Sequence, residues 1–189
     1  MRQLFYYQDK WEVAKMRKIL VVVDMQKDFI DGALGFEGAD KIIPGIIAKI
    51  KEYEASGDEI VYTLDTHFDN YMNTQEGKNL PVPHCIKGSE GHELVPALKT
   101  LLSDCLCFEK PTFGSLKLGN YINDNAEKYD SIEICGLVSN ICVISNAIVA
   151  KAAAPEAEII INRALTDSFD KKLDEETYDI LRGVQVTVI

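Results

Sequence analysis

Short β-branched runs alternate with helix-period segments along nearly the whole of this chain, and that alternation leaves few folds open. Residues 19–23 (ILVVV) are apolar at every position, so both faces of that strand must be covered, as in a buried parallel sheet. Residues 40–56 set Ile43, Ile46, Ile47 and Ile50 at three-and-four spacing, which predicts a helix stopped by Gly57. Further strands are read at 59–64, 106–109, 131–135, 158–161 and 184–189. Helices are read at about 92–102, 115–128, 140–153 and 171–182, and a loop rich in Asn, Gly and Pro fills 69–91. Repeated strand–helix–strand units require right-handed crossovers, which build a parallel sheet with helices on both faces. The expectation is an α/β fold: a three-layer α/β/α doubly wound sheet of about six mainly parallel strands.

The length of 189 residues suits one core rather than two, and no internal repeat, low-complexity tract or linker divides it. The domain is placed at residues 17–189, after an N-terminal extension over 1–16 that holds the single Trp. That extension reads as an added helix or as an upstream start, and lacks the apolar stretch of a signal peptide. With 20 basic and 30 acidic side chains the formal charge is −10, a field that repels phosphate backbones and anionic lipid. Nucleic-acid and membrane partners are therefore not expected, and no apolar run approaches the ~18 residues that cross a bilayer. The five cysteines are odd in number and form no CxxC pair, which points to free thiols in a reducing cytoplasm.

In a doubly wound sheet, ligands bind beyond the carboxyl ends of the strands, at the switch point. Strand one runs into Asp24, strand two into Asp65 and His67, and strand three into Lys110. The fourth runs through 136–142 (GLVSNIC), where a helix begins at Cys142. Singly, each has an ordinary explanation: Asp as a turn residue, Lys as a solvated charge, Cys as a small core residue. Together they put a carboxylate, an ammonium and a thiol in one layer of the fold. A thiol at a helix start beside Lys110 is expected to ionise readily, and the thiolate is the nucleophile. Asp24 is placed to move the proton from thiol to leaving amine, and amides around Ser139 to Cys142 to hold an oxyanion. The chemistry is acyl transfer through a thioester.

The segments VVVDMQKDF, TLDTH, PHCIKGSEG, EKPTFGS and CGLVSNICV, in that order, resemble the cysteine hydrolases of the isochorismatase-like superfamily, in its nicotinamidase-related amidase branch. The resemblance covers about residues 17–189 and implies Asp24, Lys110 and Cys142 as a catalytic triad. It further implies a non-proline cis peptide at Val138–Ser139, turning backbone amides toward the oxyanion. Asp65, His67 and His84 match the family's metal ligands, and one carboxylate with two imidazoles suits a divalent ion, zinc first. Cys85 is left out as a ligand because neighbouring side chains rarely reach one ion, and His92 is read as a surface or capping residue. Phe29 matches an aromatic that stacks a flat substrate. Gln26 points the same way as Asp24 on an extended segment. Thr66 stands where typical nicotinamidases carry an aromatic, with Phe68 two positions later as its replacement.

The resemblance implies hydrolysis of a small planar amide with release of ammonia, nicotinamide first, in a homo-oligomer such as a dimer or tetramer. The loop 68–80 is expected to cover the pocket. The nearest alternative is a metal-independent amidase of carbamoyl or ureido compounds on the same fold. A phosphorylation receiver, which also sets Asp after strand one, fits poorly: its Lys-Pro follows the fifth strand, whereas Lys110-Pro111 follows the third. No GxxxxGK[ST], GxGxxG or GxSxG occurs, so nucleotide-loop and serine-elbow chemistry is unsupported.

Overall fold

The computed structural model describes residues 17–189; the proposed extension at 1–16 lies outside them. In chain order the main elements are β1 (Arg17–Val23), α1 (Lys27–Ile30), α2 (Ile43–Ser56), β2 (Glu59–Asp65), α3 (Gln75–Asn79), α4 (Pro96–Lys99) and β3 (Leu106–Lys110). They continue as α5 (Leu116–Asp124), β4 (Tyr129–Leu137), α6 (Ile144–Ala153), β5 (Glu158–Asp167), α7 (Lys171–Gly183) and β6 (Thr187–Val188). The six strands pair in the order β3-β2-β1-β4-β5-β6, every pair parallel. The chain builds outward from β1 to β3, then returns to set β4 on the other side of β1. The switch point therefore lies between β1 and β4.

The run at 19–23 behaves as its composition requires. Ile19, Val21 and Val23 enter one apolar cluster with Leu118 and Ile122 of α5, Ala147 and Ala150 of α6 and Leu181 of α7. Leu20 and Val22 enter the other, with Ile46, Ile50 and Tyr53 of α2. Each fully buried Val or Ile contributes about 1.5–3 kcal/mol, so β1 is the spine of both cores. Gly136 lets β4 lie against it. That residue pairs with Val23 at φ 112, and a Cβ there would come 2.0 Å from the Val23 carbonyl oxygen.

Several elements differ from the sequence expectation. β5 extends to Asp167, because β4 pairs with it again at Gly136↔Thr166 and Leu137↔Asp167 after an irregular stretch. The polar Asn162 and Arg163 hide that continuation. The helix expected at 140–153 opens as a π-type turn, Ser139–Val143, before α6 proper. The one expected at 92–102 keeps only four α-helical residues, and that at 115–128 stops at Asp124. The loop at 69–91 contains α3, begun by Thr74, whose hydroxyl accepts the Gly77 amide at 3.0 Å. No helix among the described residues is long and apolar enough to cross a membrane.

Candidate active site

Asp24 leaves β1 with φ 49, and its amide donates to the Thr63 carbonyl on β2 at 3.2 Å. Its carboxylate is fully buried: Oδ1 accepts the Thr63 hydroxyl at 2.7 Å, and Oδ2 lies 2.6 Å from Lys110 Nζ. Lys110 closes β3 opposite Asp65, and its Nζ also donates to Asp65 Oδ1 and to Cys142 Sγ, each at 3.4 Å. A buried ammonium is tolerated only when its protons find acceptors. Here those acceptors are two carboxylates and the thiol that the sequence brought to one layer.

Cys142 sits in the turn Ser139–Val143, where the amides of Ile141 and Val143 both bond to the Val138 carbonyl at 3.1 Å. Asn146, one helical turn on, donates to the Cys142 carbonyl at 2.8 Å and to the Phe113 carbonyl at 3.1 Å. Its side-chain oxygen accepts the Ser115 amide at 3.0 Å. The cysteine turn is thus fastened to the loop that follows Lys110. A non-proline cis peptide is present, but at Leu137–Val138 rather than Val138–Ser139. Leu137 still pairs with Asp167 of β5, so β4 runs up to that bond, two residues beyond the strand read from the sequence. The Ser139 hydroxyl donates to Asp174 of α7.

The resting thiol differs from expectation too. Burial, then the Asp24 charge, push Cys142 well above the ordinary thiol range, and Lys110 only partly opposes them. Burial likewise raises Asp24 in spite of Lys110. Lys110 is raised: burial alone would lower it, but Asp24, Cys142 and Asp65 outweigh that effect. The resting site therefore holds a neutral thiol 3.4 Å from Lys110 Nζ, beside a carboxylate–ammonium pair. Its acceptor carboxylate is more basic than an ordinary Asp.

Asp65 joins this trio to a second group. Its Oδ2 lies 3.0 Å from His67 Nε2 and 3.3 Å from His84 Nε2. Glu76, on α3, brings Oε1 to 3.5 Å from His67 Nε2 and 3.6 Å from His84 Nε2. The ligand atoms of Asp65, His67, Glu76 and His84 lie within 4.8 Å of one another. Bonds of ~2.0–2.1 Å to zinc give a tetrahedron with edges of about 3.3 Å, so the four contacts have the spacing of a metal cage. Two details support that fit. Glu76 Oε2 is buried with no hydrogen-bond partner among the described residues. The His84 Nδ1 lies 2.8 Å from the Val82 carbonyl, an arrangement that directs Nε2 inward. Without an ion, burial would lower His67, but Asp65 and Glu76 raise it to about 9. Burial would raise Asp65, but His67, His84 and Lys110 hold it well below the carboxylate range.

The proposed substrate contacts separate. Phe29 is buried and meets His84 edge-on at 5.9 Å. It lines an apolar cavity of about 380 Å³ with Leu34, Leu80, Val138, Ile141 and Phe169, all uncharged. Phe68 is 56% exposed and lines a different cavity, beside His67 and Glu76. Gln26 is fully buried. Its amide donates to the Asp65 and His92 carbonyls, each at 2.9 Å, and accepts the Asp65 amide at 2.7 Å. It aligns the strand ends rather than facing a ligand. His92 is buried, not a surface residue, because Thr66 Oγ1 lies 2.9 Å from its Nε2 and partners the imidazole.

Sequence reasoning missed Glu76, Thr63 and Asn146. Thr74 with Glu76 two residues on was a helix-start signal inside a loop, and Asn146 is four residues after Cys142, on the same helical face. Thr63 gave no signal beyond standing two residues before Asp65.

A family model for the isochorismatase domain matches residues 18–189. The chain belongs to the isochorismatase family. It is a hydrolase of the nicotinamidase-related branch, as its motifs implied. A nicotinamidase of Acinetobacter baylyi is 27% identical over 198 residues, covering 88% of this chain and 90% of that protein. A Bacillus subtilis nicotinamidase structure superposes with TM-score 0.80 at 25% identity, over 92% of this chain and 99% of the other. The Pyrococcus horikoshii pyrazinamidase, solved in complex with zinc, gives TM-score 0.78 at 25% identity, over 92% and 98%.

Proposed function

We propose that this protein hydrolyses a small neutral amide through a thioester on Cys142, releasing ammonia, with nicotinamide to nicotinic acid as the leading reaction. The reading rests above all on one observation: Lys110 Nζ lies between Asp24 at 2.6 Å and Cys142 Sγ at 3.4 Å, next to the Asp65 cluster. Residues 17–189 act as one catalytic domain. As Sγ attacks the amide carbonyl carbon, the S–C bond forms, the carbonyl electron pair moves to oxygen, and the thiol proton passes to Asp24. Amides of the turn that begins at Val138 hold the oxyanion. Asp24 gives its proton to the nitrogen, the C–N bond breaks and ammonia leaves. Water then loses a proton to Asp24 and attacks the thioester; the C–S bond breaks, and Asp24 returns the proton to Sγ. Lys110 keeps Asp24 aligned and compensates negative charge on either partner.

Asp65, His67 and His84, joined by Glu76, would hold a divalent ion, zinc by donor type. When bound, such an ion supplies a Lewis acid and a fixed positive charge beside the cysteine. The uncharged lining of the cavity at Phe29 favours a flat neutral amide over ureido compounds carrying a carboxylate, which would be desolvated there without a cation. The test is ammonia release by purified protein from nicotinamide and from an N-carbamoyl amino acid, with metal determined on the same sample. Release from nicotinamide with about one ion per chain is expected. Release from the carbamoyl compound alone, by metal-free protein, would replace this reading with the metal-independent one.

A further inference from the structure

The residue opening the cysteine turn is tied to a carboxylate that the chemistry above does not use. Ser139 is 1% exposed, and its hydroxyl donates to Asp174 Oδ1 on α7. Asp174 is itself buried. The next residue of the turn is held by the same segment: Asn140 Oδ1 accepts the Ser168 hydroxyl at 2.8 Å. Ser168 Oγ in turn accepts the Asp170 amide at 3.0 Å. Asp170 caps α7, accepting the amides of Lys172 and Leu173 at 3.0 Å each. The start of α7 thus grips two consecutive side chains of the turn that carries the nucleophile. A carboxylate in the first turn of a helix needs only solvent and the helix dipole. Turned inward and nearly dry, Asp174 requires donors, and Ser139 is one of them.

Building on the thioester reading, we propose that Asp174 is a positioning residue: through the Ser139 hydroxyl it fixes the oxyanion-binding amides of the 138–143 turn. It touches no reacting atom. Its effect should appear where the oxyanion forms, not where the ground state binds. Pyridine-3-carbaldehyde separates the two. Its carbonyl carbon bonds to Sγ, the carbonyl electron pair moves to oxygen, the thiol proton ends on that oxygen, and nothing leaves. The adduct carries the tetrahedral oxygen, whereas pyridine-3-carboxylate, the product, does not need those amides.

Inhibition constants of aldehyde and acid are measured for wild type, Asp174→Asn, Asp174→Ala, Ser139→Ala and the double alanine variant. Loss of a whole oxyanion donor costs about 10²–10³-fold, so a misaligned one should weaken the aldehyde about tenfold. That loss is expected for Asp174→Ala and for Ser139→Ala, with the acid unchanged. The double variant should lose no more than either alone, because both remove one link. Asp174→Asn keeps an acceptor and should bind aldehyde as wild type does. If Asp174→Ala misfolds, Ser139→Ala, lacking only a hydroxyl, carries the comparison. Undiminished aldehyde binding in the alanine variants, or equal loss of aldehyde and acid, would overturn the positioning role. Failure of the wild type to bind the aldehyde covalently would instead overturn the thioester reading, and the proposal with it.

Discussion

Thr63→Val removes one hydroxyl from the site and leaves its shape. That hydroxyl donates to Asp24 Oδ1 at 2.7 Å, and both residues are fully buried. It stabilises the carboxylate and offers less to the protonated form, so its loss lets Asp24 take a proton at higher pH. A hydrogen bond to a charged group contributes about 1.5–3 kcal/mol, and one pH unit corresponds to about 1.4 kcal/mol. Asp24 must be ionised to accept the thiol proton, so kcat/KM rises with pH through its ionisation. In the wild type, burial places that acid limb above the ordinary Asp value of about 3.9. In Thr63→Val the limb should move up by about one to two pH units, with the alkaline plateau retained. Initial rates of ammonia release across the acid range measure it. An acid limb that stays in place while the plateau is retained would refute Asp24 as the proton acceptor.

Glu76→Gln and His84→Ala should each weaken divalent-metal binding at least about tenfold, read by metal analysis after dialysis against a chelator; unchanged occupancy would remove that residue from the cage. Gly136→Ala puts a Cβ 2.0 Å from the Val23 carbonyl oxygen at φ 112, and should cost about 3 kcal/mol or more in urea denaturation. Near-wild-type stability would mean that β1 and β4 are not so closely apposed. Phe29→Leu keeps an apolar filler and removes a ring face, so KM for an aromatic amide should rise roughly two- to tenfold with kcat little changed. An unaltered KM would place the substrate elsewhere.

Much of this site was legible because the fold confines chemistry to one edge. Once 19–23 is read as a two-sided strand, the next residue lies at the carboxyl edge, and Asp24, Asp65 and Lys110 follow from strand ends alone. What stayed hidden depended on contacts across the chain. Glu76 reaches the histidines because α3 folds against Tyr71, and Gly77 permits this: a Cβ there would lie 2.1 Å from the Tyr71 carbonyl oxygen. His92 looks like a surface residue until Thr66 gives its ring a partner. The state of Cys142 was misjudged because Lys110 and a helix start are visible in sequence, while burial beside a carboxylate is not. Gln26 was placed on the correct side of its strand, but its saturation by main-chain groups depends on the meeting of β2 with the segment around His92.

The central claim is a covalent acyl group on Cys142. The direct measurement is rapid acid quench of protein turning over nicotinamide, followed by intact-mass and peptide analysis. The account predicts a transient adduct of one pyridine-3-carbonyl group on the peptide containing Cys142, lost on incubation with water and absent in Cys142→Ala, which should also release no ammonia. Turnover by Cys142→Ala, or an adduct on another residue, would contradict it.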